Sequence, residues 1–475
     1  MPDSADVFGS TALMRRVQEL QQLEHPASAV NRFCRQVPCS LTPDLSTGPA
    51  PTRNPDLLGR LSDLAFGYRV TPRGLARRAP SAGAMYPVEM VWITQVDGRW
   101  VFQYFDARQQ GCVDLGRSAE QAATALRLAP RQHALLLVGV AWRTIQRYGV
   151  RGYRYCLLDA GNVLGNVASV VVAAGAYIHL PDSIPHELIH QELGLTRDEL
   201  LLGAAVVEGD FADSIPDLEV GTPLESLDTS RLFGTEQAPM LTPAMERIRR
   251  VHRASDPGRQ HRLNFRAMLG GHTADQAVEN ILLRRSARAF DGTELDPSML
   301  AVLDAFLHRV TEATPVPVWR ELELRLVARR DGRWQSRWFD QANDRWLTRL
   351  IPDPEPTALI DMFGDQPLAA KAAAFMILGM RGEAGTQGNP VVYRQMLLTA
   401  GVTCAGVHHL AAQAGCATTI FGGYDDRRVA DLANGRFIPL VVQAFGNSSE
   451  SARDEKNDTV AATWLANARS GPAIP

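Results

Sequence analysis

Two stretches of this 475-residue chain are close copies of each other, and this repeat limits the folds that the chain can adopt. Segment 88–106 places a DGRW turn between two apolar stretches, and segment 322–340 repeats the pattern at an offset of 331 − 97 = 234 residues. A second pair, YRYCLLDAG at 153–161 and YRQMLLTAG at 393–401, has an offset of 393 − 153 = 240 residues. A period this long exceeds that of solenoid repeats and fits two whole domains. Because duplicated domains often pack as homodimers do, we expect an intramolecular pseudo-dimer.

The composition is that of an ordinary globular protein, with 45% hydrophobic and 21% charged residues. A net charge of −3 gives no reason to expect nucleic-acid or membrane partners. The N-terminus lacks the basic and apolar regions of a signal peptide, and no uncharged apolar stretch of about 18 residues suggests a membrane span. The six cysteines have no CxxC spacing, which is typical of free thiols in a reducing compartment. We therefore expect a cytoplasmic protein.

The hydrophobic pattern divides the chain into a helical extension and loop at 1–53, a first copy at 54–210, a linker at 211–245 and a second copy at 246–475. Each copy combines segregated helices with several short strands, which favours an α+β fold. For the first copy we predict strands at 88–95, 100–106, 134–142 and 203–208 and a helix at 154–177. For the second we predict helices at 274–285, 297–312 and 394–414, strands at 321–329, 334–340 and 437–445, and an apolar run at 372–380.

Three guanidinium groups and a hydroxyl lie close together in the sequence RRSAR, at Arg284, Arg285, Ser286 and Arg288. Arginine side chains bind phosphate oxygens in bidentate pairs, so this turn after a predicted helix is a candidate phosphate site. The alternative is a solvated basic helix end.

Two glycine-containing segments are candidates for the binding of a flat ligand. The first, PSAGAMYP at 80–87, precedes a strand; its small residues (Ala82, Gly83, Ala84) allow close approach, and Ser81 can form a hydrogen bond. The second is the pair Gly422–Gly423, whose N–H groups can face a ring or a phosphate. Each segment is also compatible with a simple turn.

The duplication shows that the two copies no longer carry the same segments. The position of Ser81 to Gly83, shifted by 315 − 81 = 234, holds Pro-Val-Pro at 315–317. The glycine pair, shifted by 422 − 182 = 240, corresponds to Asp182-Ser183, and no Arg-Arg-Ser cluster occurs near 50–54. This pattern predicts one composite site at the domain interface, whose mirror-image twin has decayed.

These segments resemble those of the flavin-dependent nitroreductase family, whose α+β subunits form a tight dimer with FMN in the interface. The resemblance implies two tandem nitroreductase-like domains. It assigns the flavin phosphate and ring to Arg284, Ser286, Arg288, Gly422 and Gly423 of the second copy, and the partner loop to Pro80, Ser81, Gly83 and Ala84 of the first. Arg285 and Ala82 lie within the same motifs. Arg453 or Lys456 would be a further basic residue after the last strand.

The first copy is most similar to the SagB-like branch, whose members oxidise thiazolines and oxazolines in ribosomally made peptides. The branch signature, approximately KYGxRxYRxxLLDAGH, corresponds to RYGVRGYRYCLLDAGN at 147–162. Arginine replaces the lysine that the branch uses as a base, and Asn162 replaces histidine. Arginine remains protonated in proteins and is a poor base. Tyr148 or a water would accept the substrate proton, or Arg147 would stabilise a developing anion. The matching position in the second copy is Gln387–Gly388.

The resemblance thus favours an FMN-dependent oxidoreductase that dehydrogenates an azoline or similar unit of a peptide or carrier-bound natural product, together with biosynthetic partner proteins. Two alternatives stay open. One is an NAD(P)H-dependent reductase of nitro, quinone or enone compounds. The other is a flavin-free scaffold subunit of a biosynthetic complex. The N-terminal extension either grips a leader peptide or braces the two domains.

The sequence HELIH at 186–190 fits the HExxH pattern of zinc proteases. The residues after this segment do not continue the zinc-protease pattern. The 240-residue offset makes the segment equivalent to the polar segment 426–430, so we expect a surface helix and no metal site. Cys404 and His408 share a helical face, but their surroundings are apolar, which favours core positions.

Overall fold

The computed structural model describes residues 57–71, 74–107, 109–209, 214–215, 242–255, 260–340, 343, 345–381 and 390–448. The predictions for the N-terminal extension, for most of the linker, for Gln387–Gly388 and for Arg453 and Lys456 lie outside these residues. The domain boundaries therefore stay predictions.

The first copy is built around a six-stranded antiparallel sheet with the order β5-β4-β3-β6-β8-β7, and β1 and β2 form a separate hairpin. Its elements are α1 (Leu57–Phe66), β1 (Tyr68–Thr71), β2 (Gly74–Arg77), β3 (Val88–Val96), β4 (Arg99–Asp106), β5 (Gly111–Ser118), α2 (Glu120–Ala125), β6 (Gln132–Val140), α3 (Trp142–Tyr148), α4 (Gly152–Ala173), β7 (Tyr177–His179), α5 (His186–Leu193) and β8 (Glu199–Glu208).

The second copy has a sheet with the equivalent order, β11-β10-β9-β12-β14-β13, again with antiparallel pairs. Its elements are α6 (Thr242–Ala254), α7 (Phe265–Leu269), α8 (Ala274–Leu283), α9 (Pro297–Ala313), α10 (Val316–Glu321), β9 (Leu322–Arg330), β10 (Arg333–Asp340), β11 (Arg345–Leu350), α11 (Pro356–Met362), β12 (Ala374–Arg381), α12 (Pro390–Gln413), β13 (Ala417–Phe421), α13 (Asp426–Leu432) and β14 (Phe437–Gly446). The shared strand order confirms the predicted α+β class and the duplication.

The repeated DGRW motif forms the same hairpin turn in both copies. Asp97 and Gly98 have φ values of 49° and 78°, and Asp331 and Gly332 have φ values of 52° and 73°. Positive φ at both central residues defines the type I′ turn that matches the twist of two paired strands, and Asp-Gly is among its preferred sequences. The motif therefore sets the register of β3 with β4 and of β9 with β10.

The two long helices α4 and α12 cross at a pair of glycines that are equivalent by the repeat, since 401 − 161 = 240. A Cβ atom on Gly161 would lie 2.3 Å from the carbonyl oxygen of Leu398 and 2.8 Å from the Cα of Gly401. A Cβ atom on Gly401 would lie 2.3 Å from the carbonyl oxygen of Leu158 and 2.7 Å from the Cα of Gly161. This reciprocal contact is that of a two-fold axis, so the domains pack as a pseudo-dimer through their backbones.

Helix α4 is mostly apolar and is buried along almost its whole length, as expected for a helix with no solvent-facing stripe. Within the described ranges, the stretch Trp142–Ala173 is long and apolar enough to cross a membrane, but 89% of its most apolar window is buried inside the protein. This burial is typical of a core helix. The four cysteines in the described part of the chain are free thiols.

Candidate functional site

The arginine-rich turn of the second domain is anchored between two elements of the fold. Helix α8 begins with a capping box at Thr273 and ends at Leu283, after which the chain becomes extended at Arg284. Ser286 then forms a parallel β-bridge with Thr418, and the N–H of Ala287 donates to the carbonyl of Thr418 over 2.8 Å. The turn is therefore tied to β13, the strand that leads to Gly422.

The side chain of Arg284 is buried against the first domain. Its Nε donates to the carbonyl of Arg78 over 2.8 Å, and Arg69 donates to the carbonyl of Arg284 over 2.7 Å. Its Nη1 has no hydrogen-bond partner among the described residues. Burial, followed by the charge of Arg285, lowers the pKa of Arg284 to about 9. A buried cation with an unsatisfied N–H is costly, and a bound anion would remove that cost.

A second buried arginine lies next to it. Arg78 is 1% exposed, and neither of its terminal nitrogens has a hydrogen-bond partner among the described residues. Asp63 Oδ2 lies 3.8 Å from Arg78 Nη2, and burial raises the pKa of that carboxyl to about 6. The region is therefore rich in positive charge and poor in carboxylates.

The other residues of the RRSAR motif have different environments. The Nη1 of Arg285 donates to the carbonyls of Leu282 (2.5 Å) and Arg284 (2.8 Å), at the end of α8. Ser286 is half-buried and Arg288 is exposed. Of the three arginines, Arg284 is thus the one that is buried in the interface, whereas Arg285 caps its own helix.

The loop 80–86 is held in an unfavourable backbone conformation by a carboxylate from α4. Gly83, Ala84 and Tyr86 have φ values of 59°, 55° and 46°, a region that costs a non-glycine residue about 1–3 kcal/mol. The hydroxyl of Ser81 donates to Asp159 Oδ2 over 2.6 Å and accepts from the N–H of Tyr86 over 2.9 Å. The N–H of Ala82 donates to Asp159 Oδ1 over 3.3 Å. These hydrogen bonds fix the loop.

Three of the predicted segments meet at one point between the domains. A Cβ atom on Gly83 would lie 2.6 Å from Tyr148 Oη and 3.1 Å from both Nε and Nη1 of Arg147. A Cβ atom on Gly422 would lie 3.3 Å from Tyr148 Oη and 3.8 Å from the Cβ of Ala82. The structure thus brings together the first-domain loop, the Arg147–Tyr148 pair and the second-domain glycine. Strand β13 and the contact with Arg78 connect this point to Arg284.

Tyr148 ends α3 and is largely enclosed. Burial raises the pKa of its phenol to about 12, although the Arg147 guanidinium acts in the opposite direction. The phenol therefore keeps its proton at neutral pH, which makes it a hydrogen-bond donor to an anion and a poor proton acceptor. The role that the sequence suggested for Tyr148, as acceptor of the substrate proton, is thus disfavoured. Arg147 is exposed, with its guanidinium carbon 5.5 Å from the Tyr148 ring centroid.

Sequence reasoning missed a polar network behind Tyr148. Arg151 Nε donates to Tyr155 Oη over 2.6 Å, and Arg151 Nη2 lies 2.9 Å from Asp426 Oδ1 in the second domain. The same guanidinium stacks 4.4 Å from the ring centroid of Tyr424, next to the glycine pair. Arg151 and Asp159 both lie in the RYGVRGYRYCLLDAGN motif, so this motif could have identified both as candidate site residues.

The repeat defines a second position in the interface, the mirror position, which is equivalent to the candidate site but is formed by different residues. The equivalent of the glycine pair is Asp182-Ser183, and here the N–H of Gln260 donates to the carbonyl of Asp182 over 2.6 Å, while Arg262 Nε lies 3.1 Å from its carboxylate. Gln395 of α12 exchanges hydrogen bonds with the backbone of His261. The segment after α6 thus covers the mirror crevice, which supports the prediction of a decayed twin.

The first histidine of the HELIH motif, His186, belongs to this mirror position. His186 lies 240 residues before Asp426, and Arg394 lies 240 residues after Arg154 (426 − 186 = 394 − 154). Arg394 Nη1 donates to His186 Nε2 over 3.0 Å, where the equivalent pair, Arg154 and Asp426, is ionic. Burial lowers the pKa of His186 to about 3. The histidine is therefore an interface residue, and in the described ranges no group of three or more metal-ligating residue types could hold an ion.

Cys404 and His408 lie on α12 and are at most 1% exposed, which confirms the prediction that they are core residues. Burial raises the pKa of the thiol and lowers that of the imidazole.

Among known proteins, no family model matches the chain. A candidate nitroreductase of Methanocaldococcus jannaschii is 32% identical over 131 residues, which are 26% of this chain and 66% of the relative. A crystal structure of a candidate nitroreductase from Anabaena variabilis matches 92% of this chain and 99% of that one, with a TM-score of 0.66 and 18% identity.

The E. coli microcin synthetase McbBCD complex with truncated pro-MccB17 bound matches 27% of this chain and 52% of that one, with 19% identity and a TM-score of 0.23, which is too low to establish a common fold. The Anabaena structure shares the fold over both domains. The Methanocaldococcus relative adds a similarity in amino-acid sequence. The chain therefore belongs to the nitroreductase superfamily, as two tandem α+β domains packed into an intramolecular pseudo-dimer.

Proposed function

We propose that this protein is an FMN-dependent oxidoreductase with one composite flavin site per chain. The observation that carries the proposal is the meeting of Gly83 and Gly422, from different domains, beside Tyr148, with the unsatisfied guanidinium of Arg284 buried in the same interface. Backbone at both glycines allows a flat ring to approach closely, and the arginine suits a phosphate.

The chain's residues fit FMN in a defined way. Arg284, Ser286 and Arg288 would hold the phosphate, with Arg453 as a further predicted contact. Gly422 and Gly423 would face the isoalloxazine from the second domain, and the loop at 80–84 would face it from the first. The cofactor would supply hydride transfer, while the protein supplies position and electrostatics.

Two residues at the meeting point of the domains, Tyr148 and Arg147, would stabilise negative charge on a bound substrate. Tyr148 keeps its proton and can donate a hydrogen bond to an oxygen or nitrogen on which charge develops. Arg147 is exposed at the same point and adds a positive charge. An azoline or similar unit of a peptide or carrier-bound natural product would lose hydride to the cofactor here, in the cytoplasm and with biosynthetic partner proteins.

One observation favours a second candidate, reduction of nitro, quinone or enone compounds by NAD(P)H. A reductase places negative charge on an oxygen or nitrogen of its substrate, and a phenol with a pKa of about 12 at the site stays protonated throughout the neutral range and can donate a hydrogen bond to that atom. Anaerobic mixing with NADPH or NADH separates the two candidates: rapid bleaching of the bound flavin supports the reductase, and a stable oxidised spectrum supports the dehydrogenase.

The decisive first experiment is the visible spectrum of the purified protein, with the released FMN counted per chain. We expect one FMN per chain. Arg284→Met should weaken FMN binding at least tenfold, because a charged hydrogen bond to the phosphate contributes about 1.5–3 kcal/mol. Arg285→Met is the matched control, since that arginine caps α8 and should leave binding within a few-fold.

A protein that stays colourless after incubation with FMN would refute the oxidoreductase and favour a flavin-free scaffold. Two FMN per chain would refute the single composite site.

A further inference from the structure

The candidate site has two conspicuous polar side chains that cannot accept a proton at neutral pH. Arg147 is a guanidinium, and the phenol of Tyr148 holds its own proton. A dehydrogenation that removes hydride also releases a proton, which needs an acceptor. Asp426, a carboxylate behind the site, is already paired with Arg151 and Arg154.

Asp159 has the geometry of such an acceptor. Its side chain is buried on α4, has no salt bridge within the described part of the chain, and lies 2.6 Å from the hydroxyl of Ser81. Ser81 Oγ donates to this carboxylate and accepts one hydrogen bond, from the N–H of Tyr86, so one lone pair of the hydroxyl oxygen remains available. Ser81 begins the loop that carries Ala82 and Gly83 to the meeting point of the two domains.

The repeat connects this pair to the surviving site. The position equivalent to Asp159 is Thr399 (399 − 159 = 240), and the position equivalent to Ser81 is Pro315 (315 − 81 = 234). The decayed copy has therefore lost both the carboxylate and the hydroxyl, although the flanking Leu-Leu and Ala-Gly residues of the helix are kept.

We propose that Asp159 is the terminal proton acceptor of this site and takes the substrate proton through the hydroxyl of Ser81. In the dehydrogenation direction, hydride leaves a substrate carbon for the flavin, which is the oxidant. The proton of the neighbouring substrate atom passes to Ser81 Oγ, while the hydroxyl proton of Ser81 passes to Asp159 Oδ2. The substrate gains a double bond, Ser81 is unchanged, and Asp159 becomes neutral. In the reducing direction the same path delivers a proton.

The electrostatics suit this role. Burial raises the pKa of Asp159 to about 7, while the hydrogen bonds from Ser81 and from the N–H of Ala82 act in the opposite direction. Asp159 raises the pKa of Tyr148 on α3 and of Cys156 on its own helix, and Arg143, which acts on Cys156, is paired with Glu89. An acceptor whose pKa lies near the working pH is the most effective one.

The inference rests on the proposed flavin function, and the first test separates the two. Purified protein with bound FMN is photoreduced without oxygen and mixed with menadione, a quinone that takes up hydride and a proton. We expect the rate of flavin reoxidation to fall as the pH rises through about 7, because Asp159 must carry its proton to deliver it.

In Asp159→Asn and Ser81→Ala the rate should drop by about a hundredfold, the lower range for general acid–base catalysis, and the step near neutral pH should disappear. Ser81→Thr keeps a hydroxyl and should restore both. Ser169→Ala, which removes another buried hydroxyl on α4, should behave as wild type.

The second test needs no turnover. Infrared titration of the FMN-bound protein should show a carboxyl band with a midpoint near pH 7 that is absent in Asp159→Asn. In Ser81→Ala the midpoint should move upward, because the lost hydrogen bond stabilised the ionised form. Asp63→Asn identifies the band of another buried carboxyl with a raised pKa.

Wild-type protein that binds FMN but shows no pH step, or a Ser81→Ala variant with the wild-type rate, would overturn the relay and leave the flavin function intact. A wild-type protein that binds no FMN would instead overturn the proposed function.

Discussion

Replacing Gly161 by alanine tests the glycine crossing of α4 and α12. The added Cβ would lie 2.3 Å from the carbonyl oxygen of Leu398, whereas real Cβ atoms essentially never come closer than 3.0 Å. The helices must therefore separate by at least 3.0 − 2.3 = 0.7 Å, because the obstructing atoms are backbone. Overpacking of this kind costs about 1–3 kcal/mol, and the better helix propensity of alanine returns about 1 kcal/mol.

Because the obstructing atoms are backbone, we take the upper end of that cost and expect Gly161→Ala to lower the free energy of unfolding by about 3 − 1 = 2 kcal/mol, measured by urea denaturation. Gly401→Ala should act alike, and the double variant should lose less than the sum, because one separation of the helices accommodates both methyl groups. Since the site is assembled across the same interface, FMN affinity should fall several-fold in each variant. Gly111→Ala is the control: its nearest contact is 3.9 Å away, on an edge strand.

Strictly additive effects in the double variant would refute a shared crossing point. Single variants as stable as the Gly111→Ala control would show that the domains are not held together there.

Three further predictions concern the interface. Asp426→Asn removes the carboxylate that pairs with the first domain and should cost about 1–3 kcal/mol in urea denaturation and weaken FMN binding, while Asp431→Asn, on the exposed face of the same helix, should change neither. Tyr148→Phe should slow menadione reduction by the same factor at every pH from about 6 to 9. The phenol loses its proton only near pH 12, so its contribution fades only as the pH rises toward that value. A new pH dependence between about pH 6 and 9 would contradict this assignment. His186→Asp should be tolerated or stabilising by about 1 kcal/mol at neutral pH, because it gives Arg394 the ionic partner that the equivalent arginine has, and FMN should stay at one per chain; clear destabilisation would refute the proposed equivalence.

The sequence predicted the long and apolar elements of the fold well. The long helices α4 and α12 and the strands β3, β4, β6, β9, β10 and β14 were predicted within a few residues, because buried runs and the DGRW turns give strong local signals. The edge strands β5 and β11 were missed. Both are largely exposed, so their positions depend on pairing with β4 and β10 rather than on an apolar pattern of their own.

For the candidate site, the repeat predicted which segments meet but not what each side chain does. The sequence predicted that Ser81 contacts a ligand but did not predict that its hydroxyl also donates to Asp159. It grouped Arg285 with Arg284, although the first caps a helix and the second lies in the interface. These roles depend on rotamers and on partners 78 to 206 residues away, which no local pattern encodes.

The meeting of Gly83 from one domain with Gly422 from the other has a genetic consequence. In a homodimeric enzyme, two subunits that are damaged in different parts of a shared site can form a mixed dimer with one intact site, so the two defective alleles complement each other. Here both parts are encoded in one polypeptide and meet within it. Co-expressed chains, one damaged at Gly83 and the other at Gly422, would therefore both stay inactive. A chain that contains both domains therefore loses complementation between alleles, while each of its domains can change in sequence independently of the other.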